Sequence, residues 1–147
     1  MKIVVLDGYA LNPGDLSWDR LGELGELIVY DRTPADKIIN RIGGAEIIFT
    51  NKTPLTKKVF ESCPGIRYVG VLATGYNVVD VEAAKEHGVA VCNVPAYSTE
   101  SVAQFVFALL LEICHHVWDH NLSVKNGDWS SNPDFCFWNH PLFELKG

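Results

Sequence analysis

Several residue types and patterns are scarce in this chain of 147 residues. Charged residues make up only 20% of it, the net charge is −6, and the 12 lysines and arginines are scattered without forming a basic stripe. A nucleic-acid backbone or an anionic membrane therefore finds no matching cationic face, and we expect neither as a partner. The hydrophobic content of 48% is that of a globular domain with no disorder signature.

Cysteine is sparse, and its spacing matters more than its number. The residues Cys63, Cys92, Cys114 and Cys136 contain no C-x-x-C pair, and the first three lie in or beside apolar segments. That placement is typical of reduced core thiols, so we expect a cytoplasmic location. The apolar run at the start of the chain is interrupted by Asp7 and is too short for a signal sequence, which favours a first strand.

Short β-branched runs alternate with helical segments along the first part of the chain. This alternation predicts an α/β fold: a flavodoxin-like five-stranded parallel sheet with helices on both faces. Helix start signals are Thr33-Pro34, Thr56 and Asp80, and Gly88 ends the last of these helices. Ligands of such folds collect at the carboxyl ends of the strands. The predicted strands are residues 2–6, 26–30, 46–49, 68–71 and 90–93.

A loop of small residues, Ala73, Thr74 and Gly75, follows the fourth predicted strand. With no large side chain in the way, its backbone N–H groups can hold a carboxylate, and a helix N-terminus after Asp80 would favour the same charge. The alternative is a strand-to-helix turn without a ligand. Asn51 and Lys52 fall at the same sheet edge, where Lys52 can supply charge to a carboxylate or hydroxyl unless this is simply a solvated loop.

The segment 102–114 is apolar almost all round, because Gln104 and Glu112 are its only polar residues. It is shorter than the ~20 residues that a bilayer demands, so we do not expect a transmembrane helix. Its apolar surface needs cover, from either a missing domain or a second subunit. Farther on, Leu142, Phe143 and Leu145 read as the lead-in to another structural unit.

Four stretches together resemble a known family: residues 50–56, 73–80, 91–99 and 101–105. Their sequences are TNKTPLT, ATGYNVVD, VCNVPAYST and SVAQF. In order and spacing they are similar to the N-terminal part of a D-isomer-specific 2-hydroxyacid dehydrogenase of the glycerate dehydrogenase or hydroxypyruvate reductase branch. The resemblance implies hydride transfer between NAD(H) and a small 2-keto or D-2-hydroxy acid, such as hydroxypyruvate, D-glycerate or glyoxylate.

The resemblance also implies roles for individual residues. It places the substrate carboxylate on the amides of Ala73, Thr74 and Gly75, and cofactor contacts at Val102 and Thr99, although Val102 can also be simply a core residue. Thr99 is further expected to cap the helix. The family's Gly-x-Gly-x-x-Gly turn and its catalytic Arg, Glu and His lie beyond Gly147. We therefore expect no catalytic residue in this chain.

The implied organisation has three parts: residues 1–97 as substrate domain, 98–120 as an interdomain and dimerisation helix, and 121–147 as the lead-in to an absent NAD-binding Rossmann domain. The apolar helix would belong to that absent domain and form a homodimer through residues 102–114. The chain would then be a fragment that is inactive alone. An alternative function is a non-catalytic carboxylate-binding or dimerisation module.

Other readings have less support. His116 and His120 are four apart, as on one helical face, but with His115 they have no Glu or Cys constellation beside them, so we expect no metal site. His140 is treated as a linker residue. A phosphorelay receiver would need an acidic pair where Asp7 stands alone. Tyr76 lines either the cleft or a subunit interface.

Overall fold

The computed structural model describes residues 1–146 and divides into two compact units, Met1–Tyr97 and the segment from Ser98 onward. The first unit alternates strands and helices. Its elements are β1 (Lys2–Val5), α1 (Asp19–Gly22), β2 (Glu26–Val29), a 3₁₀ turn (Ala35–Lys37), α2 (Ile38–Ile42), β3 (Ile47–Thr50), α3 (Lys57–Ser62), β4 (Tyr68–Val71), α4 (Val81–Glu86) and β5 (Ala90–Cys92).

The five strands form one sheet in the order β2-β1-β3-β4-β5, and every neighbouring pair is parallel. This arrangement confirms the predicted flavodoxin-like sheet, and no predicted strand end differs by more than one residue. The strand order reverses beside β1, so the crevice outside the carboxyl ends of β1 and β3 is the topological switch point of the sheet.

Burial separates the inner strands from the edge strands. Residues Ile3 to Val5 in β1 and Val69 to Val71 in β4 are buried, whereas β2 and β5 have no buried residue. The two edge strands are therefore less covered than the inner strands. The three cysteines expected to be core thiols also differ in burial. Cys63 is buried as predicted, whereas Cys92 on β5 is exposed and Cys114 is half-buried.

The predicted helix starts differ in how they are made. Asp80 is a true N-cap, because its carboxylate accepts the N–H of Ala83 at 3.0 Å. Thr56 occupies the N-cap of α3 without a side-chain bond. Thr33 caps no helix; its hydroxyl donates instead to the carbonyl of Leu6 at 2.5 Å, which ties the end of β2 to the end of β1.

The second unit contains α5 (Thr99–His115), α6 (Val117–Lys125) and α7 (Asp128–Ser131). The single helix expected over residues 98–120 is divided at His116, whose positive φ of 47° ends α5 and begins α6. A left-handed residue breaks the helical path whatever the side-chain pattern says. Ser98 holds the N-cap position, so Thr99 is the first helical residue rather than the cap.

None of the residues of α5 is buried. In the described part of the chain no single helix is long and apolar enough to cross a membrane, although α5 and α6, bent by 57°, meet the criteria of length and composition as a pair.

Candidate functional site

The loops that follow β1, β3 and β4 meet at the carboxyl edge of the sheet because the strands are parallel and adjacent. One direct link joins the last two of these loops: the N–H of Leu72 donates to the carbonyl of Thr50 at 2.8 Å. The sheet therefore brings the predicted substrate residues of the β3 and β4 loops to one edge.

The loop after β4 is fixed through its carbonyl groups. Val94 N–H donates to the carbonyl of Ala73 at 3.1 Å, and the side-chain amide of Asn93 donates to the carbonyl of Thr74 at 2.8 Å. The Thr74 hydroxyl in turn donates to the Val94 carbonyl at 3.2 Å. The segment after β5 thus holds the loop from one side.

The amide groups of the same loop remain available. Within residues 1–146, the N–H groups of Ala73, Thr74 and Gly75 donate to no protein acceptor. Ala73 is buried at 8% exposure, while Thr74 and Gly75 are exposed. Backbone donors must find a partner, so water or a ligand with acceptor oxygens has to supply it. This arrangement suits a carboxylate, and the assignment of these three residues stays a prediction.

The expected help from a helix N-terminus does not apply to this loop. The helix α4 starts only at Val81, well after Gly75, and the carboxylate of Asp80 already accepts one of its N-terminal N–H groups, that of Ala83. Any anion held by the loop depends on the loop's own amides.

The loop after β3 is held by Asp7, which is not one of the predicted site residues. The carboxylate of Asp7, at the end of β1, accepts the N–H groups of Asn51 at 2.7 Å, Lys52 at 2.6 Å and Thr53 at 2.7 Å. The Thr50 hydroxyl donates to the Thr53 carbonyl at 2.8 Å. The available signal was an acidic residue directly after the apolar run from Ile3 to Leu6.

A cavity of about 320 Å³ lies at the carboxyl ends of β1, β2 and β3. Its lining includes two cationic side chains, those of Arg32 and Lys52, and one exposed acidic side chain, that of Asp31. The Arg32 guanidinium lies 4.1 Å from the ring centroid of Tyr9, a cation–π contact that holds it in place. Arg32 was missed because nothing local marks an exposed arginine as a site residue. The lining residues are Asp7, Ala10, Asp31, Arg32, Thr33, Asn51, Lys52, Thr53 and Pro54.

A second cavity, of about 400 Å³, lies beside the edge strand β5. Tyr76, which is 53% exposed, contributes to its lining together with Lys85 and Cys92. This placement leaves both interpretations of Tyr76 open.

The predicted cofactor contacts belong to the second unit. Val102 is 58% exposed and Thr99 is exposed in the first turn of α5. An exposed valine fits an apolar ring, but the sequence holds no Gly-x-Gly-x-x-Gly turn that could bind a pyrophosphate. The assignments of Val102 and Thr99 as cofactor contacts stay predictions.

The histidines of the second unit are arranged differently from the prediction. His116 is not a helical residue, because it lies in the break between α5 and α6, but its ring and that of His120 both lie near the ring of His140. His140 Nε2 lies 2.6 Å from a carboxylate oxygen of Asp119, and its ring centroid lies 4.2 Å from that of His116. Among residues 1–146 no group of three or more His, Cys, Asp or Glu side chains is arranged to hold a metal ion.

The fold defines a class: a doubly wound α/β domain, the kind of fold that binds its ligands outside the carboxyl ends of the strands. The family model described as "D-isomer specific 2-hydroxyacid dehydrogenase, catalytic domain" matches residues 3–132. The chain belongs to this family.

Individual relatives agree with the family assignment. The chain is 65% identical over its whole length to a hydroxypyruvate reductase of Blautia hydrogenotrophica, of which it covers 47%. It is 31% identical over 99% of its length to a glycerate dehydrogenase of Methylorubrum extorquens, of which it covers 46%. The chain thus spans about half the length of the curated relatives it matches.

A solved structure has the same fold. An acyclic imino acid reductase in complex with NADPH and D-Arg superposes with a TM-score of 0.72 at 30% identity, over 86% of this chain and 41% of that chain.

Proposed function

We propose that this chain is the substrate-binding part of an oxidoreductase that transfers a hydride between a nicotinamide cofactor and a small 2-keto or D-2-hydroxy acid. Hydroxypyruvate with D-glycerate is the favoured pair, and glyoxylate is a second substrate. The observation that carries the proposal is the 65% identity to a hydroxypyruvate reductase over the whole chain. The unpaired amides of the β4 loop agree with a carboxylate ligand.

In this proposal the amides of Ala73, Thr74 and Gly75 hold the substrate carboxylate, and Lys52 with Asn51 contacts the same molecule from the β3 loop. Holding the acid at one end fixes the direction of its 2-carbonyl, which lowers the entropic part of the barrier. Uncompensated N–H donors at a fixed position bind an anion without first reorganising, which favours the ionised acid over a neutral analogue.

NAD is the proposed cofactor, with Val102 and Thr99 as its contacts in this chain. When bound, the cofactor supplies or accepts the hydride. The NADPH of the similar imino acid reductase supports a nicotinamide, although of the phosphorylated kind. We propose that residues outside this chain bind the dinucleotide and provide the proton, so that the chain alone binds substrate without turnover.

We also propose a homodimer formed through α5. Large apolar side chains stand exposed all round this helix, among them Phe105 at 64%, Phe107 at 60% and Ile113 at 69%. Burial of each such side chain is worth about 1.5–3 kcal/mol, so a second copy of α5 is a favourable partner. Light scattering at tens of micromolar should give a dimer mass, and Phe107→Glu should return it to a monomer. A clean monomer before substitution would contradict this proposal.

A cytoplasmic location is proposed as well, because all four cysteines are unpaired. The test is to fractionate cells and to detect the chain in each fraction with an antibody. A cytoplasmic protein is found in the cytoplasmic fraction and is not labelled by the antibody on intact cells.

The binding test is an amide NMR titration of this chain with hydroxypyruvate, using neutral hydroxyacetone as the matched control. We expect the largest shifts at Ala73, Thr74 and Gly75 with the acid and none of comparable size with the neutral ketone. Shifts spread evenly over the surface would overturn the assignment of the loop.

The catalytic test compares NADH oxidation with hydroxypyruvate by this chain and by any longer native product. Activity only in the longer product supports the proposal. Binding by this chain together with inactivity of every longer product would favour the alternative, a carboxylate-binding module, which the intact β4 loop makes chemically reasonable.

A further inference from the structure

Asp7 is a buried carboxylate whose environment is unusual for its position at the end of a strand. It is 9% exposed and follows the completely buried run from Ile3 to Leu6. An ionised side chain at such a depth is costly unless hydrogen-bond donors surround it. The donors here are the three successive N–H groups of Asn51, Lys52 and Thr53, at distances of 2.6 to 2.7 Å.

These three hydrogen bonds fix the backbone of the polar loop after β3. Three consecutive amides directed at one carboxylate restrict the backbone of all three residues, and charge-assisted bonds of this length are the strong kind. The Thr50 hydroxyl holds the Thr53 carbonyl from the other side at 2.8 Å. The Cα of Lys52 therefore has a defined place at the rim of the cavity of about 320 Å³.

Asp7 does not act as the charge partner of Lys52. Within the described residues, the ion pairs involve other groups, and neither Lys52 nor Arg32 forms one. The carboxylate instead takes the backbone amide of Lys52 and leaves its ammonium group exposed and unneutralised. We propose that Asp7 is a positioning residue, which holds the β3 loop so that Lys52 presents its charge to an acidic substrate at the switch point of the sheet.

This inference rests on the proposed function, because it takes Lys52 as a substrate contact. It adds a residue on a different strand to that site. Removal of the Asp7 charge has two effects on the affinity for an anion, and they are opposite in sign. Loss of a negative charge next to an anion site strengthens anion binding by electrostatics alone, whereas loss of the loop geometry weakens it.

The test uses Asp7→Asn in this chain with hydroxypyruvate as the probe, followed by NMR titration. An asparagine places an NH₂ group against N–H donors and cannot accept from all three amides. We expect the affinity to fall on the order of tenfold, the size of one charge-assisted contact. Asp80→Asn is the matched control, since it makes the same change at a carboxylate that caps α4, and asparagine caps equally well. Unchanged or tighter binding by Asp7→Asn would overturn the proposal.

A double variant shows whether Asp7 acts through Lys52. Lys52→Met alone should weaken binding, and the combination with Asp7→Asn should weaken it no further, because residues that act as one unit are not additive. Lys58→Met controls for the lost charge. Additive losses would mean that Asp7 has a separate and merely structural role.

Amide hydrogen exchange of the unaltered chain keeps the proposal testable if Asp7→Asn fails to fold. The amides of Asn51, Lys52 and Thr53 should exchange as slowly as those of β3, although they lie in a loop. Exchange as fast as that of an open loop would overturn the proposal. Failure of the proposed function looks different, since no acid would then shift Ala73, Thr74 or Gly75, whatever residue stands at position 7.

Discussion

The two units of this chain use similar apolar residues in opposite ways. In the first unit, the strands and the helices α2, α3 and α4 enclose a core whose central members, such as Ile48 and Phe60, are at most 1% exposed. In the second unit, the described residues 98–146 include one buried side chain, that of the polar Ser123. Phe107 on α5 is as apolar as Phe60 and is 60% exposed.

The difference teaches that apolar content does not by itself make a self-sufficient unit. A sheet that alternates with helices brings its own covering layers, because each crossover helix returns to a face of the sheet. A helix that is apolar all round has no such layer in its own segment. Stability is therefore intrinsic to the first unit, while that of α5 depends on what covers it.

The largest expected effect contrasts one phenylalanine in each unit. Phe60→Ala should lower the free energy of unfolding by about 3–5 kcal/mol, because it leaves a cavity in the core. Phe107→Ala should change it by less than about 0.5 kcal/mol in dilute solution, as an exposed residue. Urea unfolding measures both. Equal losses would show that α5 is already covered at that dilution.

A glycine sharpens the account of the first unit's packing. A Cβ on Gly70 in β4 would lie 2.5 Å from two ring atoms of Phe49 on β3. Gly70→Ala should therefore cost about 1–3 kcal/mol through overpacking. Gly44→Ala, with nothing within 4 Å of its Cβ, is the control and should be neutral or slightly stabilising. Thermal unfolding of both variants checks this, and a harmless Gly70→Ala would contradict the tight fit.

Helix caps give a smaller contrast between the units. Asp80→Ala removes the bond to the N–H of Ala83 and should cost about 1 kcal/mol. Ser98→Ala should have almost no effect, since the Ser98 side chain makes no cap bond to α5. Chemical denaturation distinguishes the two, and a larger loss with Ser98→Ala would reverse the expected order.

The smallest effect concerns a thiol. Burial raises the pKa of Cys63 above its ordinary value of 9.0. Because the folded state favours the protonated thiol, its contribution to stability is complete below the unfolded pKa and is lost as the pH rises through the folded pKa. Stability should thus decline slightly above pH 9.0, and less so in Cys63→Ala.

Thiol labelling provides the measurement that accompanies this pH dependence. Exposed Cys136 should react with an aromatic disulfide reagent at once, and buried Cys63 only at the rate of local opening. Equal rates would show that the core around Cys63 is open.

Local signals in the sequence predicted most of the fold. The five strands follow from apolar runs bounded by polar residues, and the capping role of Asp80 from its place before Val81. The break at His116 could not be predicted, since a left-handed backbone at a residue other than glycine is uncommon even for histidine, one of the residue types in which it is enriched.

The site was predictable only in part, because some of its residues carry a local sequence signal and others depend on contacts between distant strands. The small residues of Ala73 to Gly75 mark the β4 loop in the sequence itself, and the strand order then places Lys52 nearby. The bonds from Asp7 to the β3 loop depend on two strands pairing in space, which no local pattern encodes. Exposure of Cys92 likewise depends on β5 being an edge strand.

The bonds of Asp7 span 44, 45 and 46 positions of the chain, so the β3 loop cannot acquire its shape early in folding. Closing so long a stretch has an entropic cost that is recovered only when β1 pairs with β3. A partly folded chain would lack the fixed position of Lys52 even with its helices formed. An acid that binds only the finished site would in turn shift the folding equilibrium toward the complete sheet, which makes the substrate a late-acting stabiliser of the unit that binds it.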